Sequence, residues 1–148
     1  MNNIIEETDS EKLKLIVKET IRCSVATTEE EAIFLIDDIN VSLQKWFSSG
    51  LNGYSSKFLV NKSIVGFIIV KEFWNLSHLF VLPAFQQQGI GKSLLAEAIA
   101  VCSERSPKGK LLLNSSVVAA NFYEALGFKQ SGLAHDRPGG CIPYEIVF

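Results

Sequence analysis

Residues 81–95 read Val81-Leu82-Pro83-Ala84-Phe85-Gln86-Gln87-Gln88-Gly89-Ile90-Gly91-Lys92-Ser93-Leu94-Leu95. An apolar run stops at Pro83, three glutamines follow, and two glycines open a helix. The stripe Ile90, Leu94, Leu95, Ala98, Ile99 and Cys102 recurs at helical spacing and carries that helix to about Arg105. The first turn of a helix has free backbone N–H groups and the positive end of the helix dipole. Glycine lets an anion come close to the backbone there. The segment therefore reads as a strand–loop–helix cradle for a phosphate or pyrophosphate that needs little side-chain charge. The plainer alternative is a polar turn with a glycine-rich helix start.

Working outward, residues 76–82 are apolar on both faces near their end, the pattern of a buried central strand. Upstream, 57–60 and 64–70 read as a hairpin around Asn61-Lys62. Before them the spacing predicts a helix over 29–47, with Ala32, Leu35, Ile36, Ile39 and Leu43 on one face. An earlier helix carries Leu13, Ile16, Val17 and Ile21, with Ser10 as its N-cap, and Ile4-Ile5 reads as a short first strand. Downstream come a strand over 110–113 and a short helix capped by Ser115 or Ser116 and closed by Gly127. Closing strands follow at 128–131 and 142–148, separated by the Asp136–Gly140 turn, in which Asp136-Arg137 reads as solvated. This order predicts an α/β chain with a mixed sheet and helices on its faces.

The 148 residues suit a single domain over 1–148, able to bury about two thirds of the surface its unfolded chain exposes. Apolar residues at 47% and charged residues at 20% are an ordinary globular mix, which argues against disorder. The formal charge of −2 gives no reason to expect a nucleic-acid or anionic-membrane partner. Three widely spaced cysteines and two histidines form no metal-ligand cluster. The odd cysteine count and the polar, acidic first residues predict a cytoplasmic protein.

Two nucleotide motifs fail on the central loop. A Walker A loop would need glycine where Gln86 stands, although Gly91-Lys92-Ser93 supplies its end. The dinucleotide fingerprint would need glycine at Leu94. Gln86-x-x-Gly89-x-Gly91, preceded by Val81-x-Pro83, instead resembles the acyl-CoA pyrophosphate loop of the GNAT superfamily of N-acetyltransferases. A second segment strengthens the likeness: Ala119, Phe122, Tyr123, Gly127 and Phe128 match the family's later A-x-x-F-Y-x-x-x-G-F motif. The resemblance covers about residues 60–130 and fits the preceding helices only loosely.

The resemblance implies acetyl-CoA as co-substrate, no metal, and a primary amine on a small molecule or peptide as acceptor. The amine attacks directly in a ternary complex, without an acyl-enzyme. It implies that the backbone of Leu79, Phe80 and Val81 meets the pantetheine arm, and that Gln87, Gln88, Gly89, Ile90, Gly91 and Lys92 hold the pyrophosphate. Backbone N–H groups near Val81 would stabilise the carbonyl oxygen. A bulge typically splays the strand carrying Val81 from its neighbour, where Asn114 stands, and the thioester enters the gap. Relatives often carry Asn seven residues before the tyrosine. Here that position is Ser116, which either contacts the arm more weakly or caps the helix. Tyr123 matches the general acid that protonates the departing coenzyme A thiolate; without the likeness, Phe122-Tyr123 reads as packing.

A protonated alkylamine must lose a proton before it attacks. Some relatives place Glu or His where Asn75 and Ser77 stand, and neither residue here is a useful base. Candidates are Glu72, His78, or water held by Asn75. Simple strand alternation puts His78 on the opposite face from Ser77, Leu79 and Val81. Trp46 and Phe47 read as helix packing, and Phe73-Trp74 as a substrate wall or surface packing. The acidic runs Glu29–Glu31 and Asp37-Asp38 either favour a cationic substrate or are solvated helix faces. Two rival functions remain at this level: a non-catalytic acyl-CoA-binding or sensing module, and a phosphotransfer protein using Gly-Ile-Gly-Lys-Ser. The chain is expected to be a monomer or a homodimer.

Overall fold

The apolar run of strand β2 (Ser63–Lys71) is buried on both faces, and this organises the layers. Phe67 and Ile69 enter a core against the first two helices, while Ile68 and Val70 enter a second core on the other side. The computed structural model describes residues 3–148. Among these, β1 (Gly53–Val60), β2, β3 (Asn75–Val81), β4 (Lys110–Ser115), β5 (Lys129–Gln130) and β6 (Ile142–Val147) form one mixed sheet, ordered β1-β2-β3-β4-β6-β5. Helices α1 (Ser10–Thr20) and α2 (Glu29–Ser48) cover one face, joined through a π-helical turn at Ile21–Val25. Helix α3 (Ile90–Arg105) and short α4 (Ala120–Ala125) cover the other.

Two tight hairpins set the register of the first three strands. Asn61 and Lys62 have φ of 50° and 67°, and Glu72 and Phe73 have φ of 55° and 66°. Positive φ at both central residues is the geometry whose twist matches two-residue hairpins. The second hairpin fixes Glu72, Phe73 and Trp74 at the end of the sheet that holds the C-terminus of α3. There the Arg105 guanidinium lies 4.0 Å from the Phe73 ring centre, and the Lys108 ammonium 3.5 Å from that of Trp74.

Several local expectations change. Ile4-Ile5 is not a strand; the chain lies beside β1 through Lys57 N–H to the Asn3 carbonyl at 2.8 Å. Asp9 is the N-cap of α1 and Ser10 its first residue. Helix α2 is capped by Thr28, whose hydroxyl accepts from Glu31 N–H at 3.1 Å. Neither Ser115 nor Ser116 caps α4: Ser115 ends β4, buried, and donates to the Ser116 carbonyl at 2.7 Å.

Candidate active site

Strands β3 and β4 run parallel but pair at a single position, Asn75 with Leu112, supported by Leu112 N–H to the Trp74 carbonyl at 2.8 Å. Beyond it they diverge, so the sheet forks toward the C-terminal ends of both strands. The pairing of β3 with β2 decides which peptide groups face the fork. Leu82 N–H donates to the Val65 carbonyl at 2.8 Å, and the register continues through Val81 with Gly66 and Phe80 with Phe67. Alternation along the strand therefore turns the amides of Leu79 and Val81 into the fork and that of Phe80 toward β2. The Phe80 ring stacks on Phe67 at 5.7 Å in the α1/α2 core.

A cavity of about 580 Å³ fills the fork. At one end stands α3, entered through Gly89 at φ +83°. The first intrahelical bond runs from Ser93 N–H to the Gly89 carbonyl at 2.9 Å, so the amides of residues 89–92 have no acceptor within the helix. Gln86 Nε2 donates to the Val81 carbonyl at 2.9 Å, and Thr20 Oγ1 donates to the same oxygen at 3.3 Å. Gln87, at φ +60°, turns the loop back toward the helix. Free amides and the positive end of a helix dipole are the groups that can hold an anion with little cationic side-chain help.

The second motif completes the site by packing on the first. A Cβ on Gly91 would sit 3.5 Å from Phe122 Cζ, so α4 rests directly on the first turn of α3. The Tyr123 ring is held edge-on between Phe122 and Phe128, at 5.2 Å and 5.7 Å between centres. Tyr123 is buried yet lines the cavity, and burial pushes its phenol well above its ordinary value. The hydroxyl therefore stays protonated across the neutral range.

Of the residues expected from sequence, Leu79, Phe80, Val81, Gln87, Gly89, Ile90, Gly91, Lys92, Asn114, Ser116 and Tyr123 line this one cavity. Gln88 and Asn75 do not. Asn75 is the last paired residue before the fork opens, and the cavity begins at Leu76 and Ser77. Glu72 and Phe73-Trp74 also lie off it, in and beside the far hairpin turn.

Alternation rightly separates His78 from Leu79 and Val81: its ring packs with Phe67 and Phe80, while Leu79 and Val81 pack in the other core. The parity fails only for Ser77, because β3 is bulged. Ile69 pairs with His78 but Val70 pairs with Leu76, leaving Ser77 as the extra residue. Ser77 Oγ consequently lies 2.7 Å from His78 Nδ1. His78 Nε2 is 3.4 Å from the Ile39 carbonyl, which can only accept. That contact calls for the proton on Nε2, so Nδ1 accepts from the Ser77 hydroxyl. Burial lowers the His78 imidazole to about 4, so it is neutral at pH 7.

Sequence reasoning missed one whole wall. The π-helical turn contributes Ile21, Ser24 and Val25, α2 contributes Leu35 and Ile39, and residues 138–140 complete it. Gly139 accepts from Val117 N–H at 3.0 Å, and a Cβ on Gly139 would meet Val25 Cγ1 at 3.0 Å and Leu35 Cδ1 at 3.3 Å. Within the 136–140 turn, Asp136-Arg137 is the part expected to be solvated. Asp136 and Arg137 are exposed, but the glycines that follow pack into the wall. Among the described residues no cysteine lines the cavity; Cys102 is buried on the core face of α3, and burial pushes its thiol up to about 11. Among the described residues, no group of three or more His, Cys, Asp or Glu side chains could hold a metal ion. No helix among them is long and apolar enough to cross a membrane.

A forked parallel strand pair with free helix amides at its mouth and a buried phenol beside it defines a mixed α/β fold with a cleft. A family model described as an acetyltransferase (GNAT) domain matches residues 25–142. The chain therefore belongs to the GNAT acetyltransferases and is an acyltransferase. Among solved structures, it resembles a GCN5-related N-acetyltransferase from Rhodopseudomonas palustris, with a TM-score of 0.81 and 16% identity over 100% of this chain and 98% of that one. It also resembles the PaiA N-acetyltransferase of Thermoplasma acidophilum in complex with coenzyme A, with a TM-score of 0.71 and 22% identity over 97% and 96%. A third likeness is an N-acetyltransferase from Staphylococcus aureus Mu50, with a TM-score of 0.73 and 15% identity over 99% and 97%. At these identities the likenesses establish the fold. No curated protein matches the sequence.

Proposed function

We propose that the protein transfers an acetyl group from acetyl-CoA to a primary amine by direct attack in a ternary complex. The observation that carries this reading is the fork itself: one cavity is lined by both the amide-bearing start of α3 and Tyr123. The pyrophosphate binds the amides of residues 89–92, and the pantetheine arm runs along the fork-facing peptide groups of Leu79 and Val81. Asn114 and Ser116 line the opposite side. The amine nitrogen attacks the thioester carbonyl carbon, and the carbonyl oxygen gains negative charge near the Val81 amide. Collapse breaks the carbon–sulfur bond. The thiolate takes the Tyr123 proton, and the new amide nitrogen gives its excess proton to solvent. The lack of a cysteine in the cavity supports attack without an acyl-enzyme. Three free cysteines fit the reducing cytoplasm as the site of the reaction.

Thermal unfolding tests the coenzyme directly. Acetyl-CoA at 100 times its Kd adds about 2.7 kcal/mol to the folded state, which raises the midpoint by several degrees for a chain of this size. Mg-ATP is expected to give no shift. A shift with Mg-ATP alone would revive the nucleotide reading of Gly91-Lys92-Ser93.

A further inference from the structure

The cavity has two ends of different chemistry. At the coenzyme end stand the α3 amides and Lys92, the single charged side chain among the lining residues. The other end is the chamber walled by Ile21, Val25, Leu35, Ile39 and Pro138, with the Ser24 and Ser77 hydroxyls among its polar groups. Among the described residues no carboxylate lines it. The acidic runs that suggested a cationic substrate lie off the cavity: Asp37 and Asp38 are exposed, Glu29 is exposed and bound to Arg22 at 2.7 Å, and Glu31 accepts from Thr27 N–H. A second ammonium in this chamber would lose its water with no counter-charge to replace it. An apolar chain of the same length would instead gain from burial against the wall.

Ser77 gives this chamber one directional group. Its proton is engaged by His78 Nδ1, so the free lone pairs of its oxygen can accept an N–H from a bound amine. That contact would hold the nitrogen beside the fork, where the thioester carbon must lie.

We propose that the acceptor is a monoamine on an uncharged apolar body, seated in the chamber between the π-helical turn, α2 and residues 138–140, with its nitrogen donating to Ser77 Oγ. The proposal rests on the acetyl-transfer reading above.

A matched pair of amines tests it, with thiol release from acetyl-CoA as the readout. Hexylamine and 1,6-diaminohexane have equal carbon chains and differ in one terminal ammonium. Hexylamine is expected to show the larger kcat/KM by on the order of 100-fold. Equal values, or a preference for the diamine, would overturn the proposal while leaving acetyl transfer intact. Turnover of neither amine by a protein that binds acetyl-CoA would instead overturn the transfer reading, and this proposal with it. Ser24→Asp supplies the missing carboxylate and is expected to narrow the hexylamine preference at least about tenfold, with the acetyl-CoA thermal shift retained as the check on folding. An unmoved ratio would remove the chamber as the acceptor's seat. Ser77→Ala is expected to lower kcat/KM for hexylamine about tenfold, with the KM for acetyl-CoA unchanged and Ser77→Thr recovering part of the loss. Unchanged hexylamine turnover in Ser77→Ala would detach the hydroxyl from the amine.

Discussion

Gly89→Glu abolishes acetyl-CoA binding while the protein stays folded: that is the expected result, and calorimetric titration measures it. Gly89 is the N-cap of α3 at φ +83°, and a Cβ built on it meets no atom within 4 Å. That open space lies in front of the amides of residues 89–92, where the proposed pyrophosphate binds. A glutamate there fills the space and sets a carboxylate against two phosphates. The helix dipole would then bind the side chain in place of the ligand. A loss of at least about 100-fold in affinity, on the order of 2.8 kcal/mol, is expected. The left-handed backbone adds a stability cost of about 1–2 kcal/mol for any side chain at this position. Gly89→Ala carries that cost without the charge, so it should lower the melting midpoint as Gly89→Glu does and keep most of the affinity. Unchanged affinity in Gly89→Glu would take this loop out of the coenzyme site.

The same geometry explains why this part of the molecule was legible in the sequence. An amide cradle needs a strand end, a left-handed residue and a helix start in immediate succession, and all three lie within residues 81–95. The sheet was legible for a related reason. Residues 64–70 carry no polar side chain, and 79–82 are apolar on both faces, the pattern of strands buried on both sides. What stayed hidden depends on pairing across the chain. The bulge at Ser77 exists because Val70 pairs with Leu76 and Ile69 with His78, and no count along β3 alone reveals it. Parity therefore separated Ser77 from His78, although their side chains touch. The proposed acceptor chamber draws on residues 21, 24, 25, 35, 39 and 138–140, each an ordinary helix or turn position in sequence. Asn75 was given a site role as the holder of a water, where relatives place Glu or His. It makes the single pairing of β3 with β4, and the cavity lining on β3 begins one residue later, at Leu76.

Tyr123→Phe separates chemistry from packing, since it deletes one oxygen and leaves the ring. The ring's edge-on contacts with Phe122 and Phe128 persist, so a large stability loss is not expected. Acetyl-CoA affinity should be close to that of the wild type, because the proposed binding contacts are backbone amides of other residues. Turnover should fall by about 10²- to 10⁴-fold, the range for loss of a positioned general acid. The acid matters most for a poor leaving group. An acyl donor whose thiol has a low pKa should therefore recover much of the lost rate in the mutant and gain little in the wild type. The direction of the Tyr123 shift adds a second readout. Burial raises the phenol above its ordinary value of about 10, so the protonated donor persists as pH rises through the neutral and mildly alkaline range. In the same range an alkylamine nucleophile gains reactive free base. The wild-type rate should then climb toward alkaline pH with no loss from phenol ionisation below about pH 10. Tyr123→Phe should show the same climb at a much lower level, because the limb belongs to the amine. A mutant with normal turnover would return Tyr123 to a packing role. A wild-type rate that falls between pH 8 and 9 would mean that a different group, with a lower pKa, supplies the proton.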